Sequence, residues 1–223
     1  MTLKMQKVQL NKTVTEMAHQ KGWRKVDSKQ KKITFLAVNL ALTVLLCGLK
    51  VSALWPHGGA ITLFGMVPII WVSLRYGAGC GVGLGLCFGL LKLLFGLGNF
   101  VALGAGQFWG CVFFDYLAGY CVVGLASIFA VPQIKRWGVR LFCSVFCVFF
   151  LKFCAHFCSG LLILGCASHR GWWDVSVLSA GYNASYLIPE MLLSFFGIRA
   201  ITQLGLLEYG LPIARKPLPF SQF

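Results

Sequence analysis

An all-α integral membrane bundle of six transmembrane helices, with both termini cytoplasmic, is the architecture this sequence predicts. Three observations predict it. Of 223 residues, 58% are hydrophobic and only 12% charged, where a soluble domain carries roughly a quarter charged; mean hydropathy is +0.77. The apolar residues gather in six segments of about spanning length. The basic residues gather at one alternating set of segment ends, which marks the cytoplasmic side.

Along the chain, residues 1–32 form a basic cytoplasmic N-terminal segment. It holds nine of the twenty Lys and Arg, opposed by Glu16 and Asp27. It lacks the build of a signal peptide. It reads either as a surface helix on the inner leaflet or as a solvated lead that fixes topology. A six-helix membrane domain follows over 33–204, and 205–223 form a short cytoplasmic tail. The apolar segments run at about 33–54, 60–75, 78–98, 107–131, 138–166 and 176–204. The second is short and contains Pro68.

The formal charge of +14 could suggest nucleic acid. Its placement at the ends of apolar runs points instead to topology and anionic lipid, so the expected surroundings are a lipid bilayer and no nucleic acid. The ten cysteines lie almost all in apolar runs without a Cys-x-x-Cys pair, and read as small hydrophobes.

Small residues set packing. Gly81, Gly85 and Gly89 repeat every four residues in the third segment, a close-contact stripe rather than a nucleotide loop, since no strand precedes it. Ala37 and Ala41 form a small-xxx-small pair in the first segment.

A charge in a bilayer core costs about 2.5–3.5 kcal/mol on insertion scales, so each intramembrane polar residue is a site hypothesis. The segments contain Lys92, Asp115, Lys152, His156, Asn183 and Glu190. At 1.5 Å per residue, Asp115, His156 and Asn183 fall roughly 12, 15 and 10 Å from the outer ends of their segments. Three helices thus place polar groups at similar depth. Lys152, His156 and Gly160 share one face. Tyr116 adjoins Asp115, and Tyr182 and Tyr186 flank Asn183. An anion, an amide, an imidazole and nearby aromatics suit a flat, nitrogen-rich, cationic ligand. The competing reading is structural: outer tryptophans as an interfacial belt, Lys152 paired with Asp115 as helix glue, His156 packed in a core. Lys152 is awkward beside a cation, and could instead pair with Asp115 or Glu190. No catalytic nucleophile, Walker loop or zinc motif is found, and neither a metal nor a cofactor is expected.

Five stretches in order resemble the thiamine-specific substrate-binding subunits (S components) of energy-coupling factor (ECF) transporters, the ThiT family. They are Trp55-Pro-His-Gly-Gly-Ala-Ile, Met66-Val-Pro-Ile-Ile with Leu74-Arg-Tyr-Gly, Phe114-Asp-Tyr-Leu-Ala, Lys152 through Gly160, and Tyr182 through Glu190. The resemblance implies uptake of thiamine from outside, without enzymatic turnover. It implies a multi-pass protein of the cell membrane, assembled with a membrane coupling (T) subunit and two ATPases. It implies ligand-binding roles for Trp55, Asp115, Tyr116, Lys152, His156, Gly160, Tyr182 and Asn183, and partner docking through Ala37 and Ala41. Leu178 and Leu164 stand where members often carry aromatic residues, so stacking would fall to Trp172, Trp173 or Trp109. The alternatives are an S component for a related vitamin or pyrimidine precursor, a membrane enzyme using Asp115 and His156 as acid and base, and a self-contained facilitator.

Overall fold

The computed structural model describes residues 29–51, 59–96, 104–167 and 171–204. The basic lead up to residue 28, the tail from 205 and Trp55 lie outside the described residues. The chain divides after Val38 into two compact units. Of the first, the described part is residues 29–38, the opening of helix α1 (Lys29–Gly48).

The second unit begins at Asn39, within α1, whose buried stripe is Asn39, Thr43 and Cys47. These recur every four residues, so they share one side of the helix. Thr43 Oγ1 donates back to Asn39 O at 2.8 Å, which satisfies a hydroxyl in an apolar setting. Next come strand β1 (Lys50–Val51) and strand β2 (Ile61–Thr62), an antiparallel pair in register Lys50 with Thr62 and Val51 with Ile61. Helix α2 (Val67–Tyr76) opens with proline in its first turn, the position at which a missing N–H costs nothing. Helix α3 is Ala78–Gly96.

Helix α4 (Ala105–Phe129) is continuous but irregular. A π-helical stretch occupies Val112–Ala118 and a 3₁₀ turn Val122–Leu125. Helices α5 (Trp137–Ala167) and α6 (Trp172–Gln203) are long, and Pro189 interrupts the ladder of α6.

Among the described residues, five helices are long and apolar enough to cross a membrane. The six-span expectation is therefore met with one correction. The segment expected at 60–75 is a hairpin strand, a turn and the ten-residue α2, about 15 Å long and so half a bilayer core. Hydropathy misses this because the strand and turn are as apolar as the helix. The segment expected at 33–54 stops at Gly48, and the one expected at 176 begins at Trp172.

The core lies where α2, α3, α4, α5 and α6 meet. Ile69, Ile70, Val72, Val123, Leu141, Val145, Val148 and Ile198 are fully buried there. The glycine stripe sets the α3–α4 approach. A Cβ on Gly81 would lie 2.5 Å from Gly124 O, and Cβ atoms on Gly85 and Gly89 would overlap Tyr120 O and Tyr116 O. Three glycines thus face three carbonyls, also four residues apart, on an antiparallel neighbour. Such contact admits backbone-to-backbone packing in a membrane. Hydroxyls bond carbonyls in and just after the 3₁₀ turn: Ser73 Oγ donates to Gly124 O within it and Ser144 Oγ to Ala126 O beyond it, each at 2.5 Å. That is how irregular backbone survives away from water.

Candidate functional site

Asp115 and Tyr116 sit inside the π-helical stretch of α4. There Gly119 N–H bonds to Phe114 O, a five-residue ring that widens the turn, and such turns recur at functional sites. Measured from the observed helix ends, Asp115 lies ten residues into α4, His156 eleven residues from the end of α5 and Asn183 eleven residues into α6. At 1.5 Å per residue these depths are about 15–17 Å. The agreement in depth is closer than the apolar runs alone allow.

His156 Nδ1 donates to Asp115 Oδ1 at 2.7 Å, and Ser159 Oγ to Asp115 Oδ2 at 2.5 Å. Both carboxylate oxygens are therefore held from α5. Ser159 is a site residue that the sequence reading misses. Its signal is present, since it lies three residues after His156 and so on the same helix side. The Asp115 side chain keeps 25% exposure and His156 13%, so the pair is reachable rather than sealed.

On α6, Tyr186 Oη donates to Asn183 Oδ1 at 2.6 Å, while Asn183 Nδ2 donates to Ser179 O at 2.9 Å and His156 O at 3.3 Å. Asn183 thus stitches α6 to α5, and its amide is already engaged by the protein. The rings of Tyr182 and Tyr186 stand 5.8 Å apart, and those of His156 and Tyr186 6.3 Å. Tyr182 Oη accepts from Gly59 N–H at 2.9 Å. Gly160 allows α6 to approach: a Cβ there would overlap Ser179 Oγ and come to 3.5 Å from Asn183 Nδ2. The neighbouring helix therefore uses the space this glycine opens. Gly96 does the same for Tyr116, whose hydroxyl a Cβ would approach to 2.9 Å.

Lys152 belongs to a second, deeper group. Its Nζ lies 2.8 Å from Glu190 Oε2, with side-chain exposures of 4% and 3%. Thr62 Oγ1 donates to the other oxygen, Glu190 Oε1. Of the two partners the sequence leaves open for Lys152, the structure selects Glu190, not Asp115. The same ammonium lies 5.3 Å from the centroid of Tyr120, and Lys92 Nζ lies 5.2 Å from it. Trp109, Trp172 and Trp173 are 67%, 77% and 78% exposed. None stacks within the cluster, and their exposure suits an interfacial belt. Tyr186 and, beside it, Tyr182 bring aromatic rings to the cluster.

A polar cluster at one depth, set among apolar helices and reachable at Asp115, marks a multi-pass membrane protein with a polar candidate site between its helices. Comparison with known proteins gives the family: residues 33–206 match the model of the thiamine transporter protein family (Thia_YuaJ). The chain belongs to that family and is a non-enzymatic substrate-binding component of thiamine uptake. It is similar to the thiamine transporter ThiT of Bacillus subtilis (strain 168), with 29% identity over 147 residues, 62% of this chain and 72% of that protein. Its fold is similar to the solved structure of ThiT from Listeria monocytogenes, with a TM-score of 0.57 and 19% identity, covering 79% of this chain and 93% of that one. The acid–base enzyme alternative gives way to membership of a transporter family.

Proposed function

We propose that this chain captures thiamine from outside the cell membrane with its Asp115–His156 cluster. It hands the vitamin on as the S component of an ECF transporter, beside a coupling subunit and two ATPases. The observation that carries the reading is the Asp115 carboxylate, fixed by His156 and Ser159 yet still partly exposed. Thiamine brings a thiazolium cation, for which an oriented carboxylate in a poorly solvated place is a strong partner. It also brings an aminopyrimidine, for which Tyr116 and Tyr182 offer rings and hydroxyls, and which Asn183 would meet by exchanging one of its present bonds. Trp55, outside the described residues, would add an aromatic face. The chain needs no cofactor in this role, and both termini face the cytoplasm.

The test is titration of the purified protein with thiamine, followed by tryptophan fluorescence. Saturation near one equivalent, with the ligand recovered unchanged, is the expected result. Well-folded protein that ignores thiamine at micromolar concentration would end the proposal.

Ala37 and Ala41 are both exposed on α1, and Ala41 lies about 200° around the helix from the buried Thr43 at 3.6 residues per turn. We assign them to docking on the coupling subunit. Leu at both positions should stop uptake by the assembled transporter while thiamine binding by the isolated chain survives. Loss of both together would mark a folding defect instead.

A further inference from the structure

We infer that Glu190 is a specificity-determining residue: it engages Lys152 and so leaves Asp115 free for a cationic ligand. The inference rests on the thiamine reading and deepens it. The chemistry poses a difficulty. Lys152 is one helical turn from His156, which itself holds Asp115. A lysine there would ordinarily bond the nearest carboxylate and repel a cation.

The geometry removes the difficulty. Among the described residues the acidic groups are Asp115, Asp174 and Glu190. Asp174 lies in the first turn of α6, far along the helix from Glu190. Two carboxylates are thus left in the interior. Lys152 takes Glu190 at 2.8 Å. Thr62, from the hairpin, takes the remaining Glu190 oxygen. The carboxylate is hydrogen-bonded at both oxygens, which a buried charge requires. The ammonium also rests against the rings of Tyr120 and Phe149, 5.3 and 5.5 Å from their centroids. Lys92 adds a second cation against Tyr120. Without Glu190, two lysines would share the interior with one carboxylate. Lys152 would then turn to Asp115, the group the ligand needs.

The test compares thiamine with its thiophene analogue, in which carbon replaces the thiazolium nitrogen and removes the charge. Binding is measured on the full-length wild-type chain, on E190Q and on K152M/E190Q. In E190Q, thiamine affinity should fall at least about tenfold while that for the analogue changes less than about threefold. In K152M/E190Q, both buried charges are gone. The thiamine-to-analogue ratio should return to within about threefold of wild type. The double variant also covers the case in which E190Q does not fold, because its ratio is predicted on its own. T62V, which keeps both charges, should leave the ratio unchanged.

Equal weakening of both ligands in E190Q, retained thiamine affinity in E190Q, or a ratio in the double variant that stays shifted would each overturn the inference. Any of these would reduce Glu190 to a structural peg. Wild-type protein that binds neither ligand would instead overturn the thiamine reading, and the inference with it.

Discussion

Among the described residues, two carboxylate–base contacts, Asp115–His156 and Glu190–Lys152, tie α5 to its neighbours, and they differ in their surroundings. The Asp115–His156 pair is 25% and 13% exposed and has a wide π turn beneath it. The Lys152–Glu190 pair is 4% and 3% exposed and is closed by Thr62 from the hairpin. The same chemistry therefore serves two ends. A sealed, fully satisfied pair ties elements together and fixes where its charges sit, but takes no ligand itself, because nothing reaches it. A pair with exposed area can exchange one of its bonds for a ligand. Burial, more than residue type, separates a tie from a site.

Breaking the sealed pair should have the largest effect. Lys152→Met leaves Glu190 buried and unpaired, and should cost about 3–5 kcal/mol of stability. Thermal unfolding in detergent should show a large drop for that variant and recovery when Glu190 is also made apolar. If the single change is tolerated as well as the double, the pair is not sealed.

Breaking the open pair should move binding instead of stability. Asp115→Asn should weaken thiamine affinity by about 2–5 kcal/mol, read by calorimetric titration. Its melting temperature should stay near wild type, because the amide oxygen can accept from His156 Nδ1 while the amide NH2 donates to Ser159 Oγ. A large loss of stability with intact binding would exchange the roles of the two pairs.

Gly89→Ala tests the support beneath the open pair. The added methyl meets Tyr116 O, one residue from Asp115, and must push the π turn away. Overpacking of this kind costs about 1–3 kcal/mol. Both stability and thiamine affinity should fall. Unchanged affinity would separate the glycine stripe from the site.

Thr62→Val should have the smallest effect, about 0.5–1.5 kcal/mol of stability for one hydrogen bond, seen as a modest shift in melting. A shift as large as that of Lys152→Met would mean the hairpin, not the ion pair, carries the tie.

Composition and charge placement make the membrane class legible, and five of the six segments are helices near their expected bounds. The failure at 60–75 is physical. Ile61 through Met66 are apolar or small whether they pair as a strand or coil into a helix, and hydropathy reads only polarity. Matching depth selects Asp115, His156 and Asn183, and the structure brings all three to one place. Depth does not separate Lys152 from His156, although they share a helix face. Which carboxylate Lys152 meets depends on how far α6 and the hairpin reach, and one-dimensional spacing holds no such distance. Asn183 is legible as polar and deep. Its engagement by Tyr186, three residues on, is a contact that spacing alone can suggest. The π turn is invisible in the sequence, since Val112–Ala118 carries no residue that forbids an ordinary helix.

That π turn has a consequence for how the protein can vary. Each added residue rotates the remainder of a helix by about 100° around its axis. The wide turn absorbs such a rotation within seven residues. The carboxylate of Asp115 lies within it, and the carbonyls that dock on Gly81 and Gly85 lie beyond it. Two angular frames thus coexist on one rod. A change that re-aims the carboxylate can be taken up in the loosened turn, leaving the glycine-docked half where it is. Ligand preference is thereby separable from the seating of the half beyond the turn, whereas Tyr116 O on Gly89 ties the turn itself to α3. Substitutions between Val112 and Ala118 can alter which ligand is bound, while those from Val122 onward can alter only how firmly the rod is held.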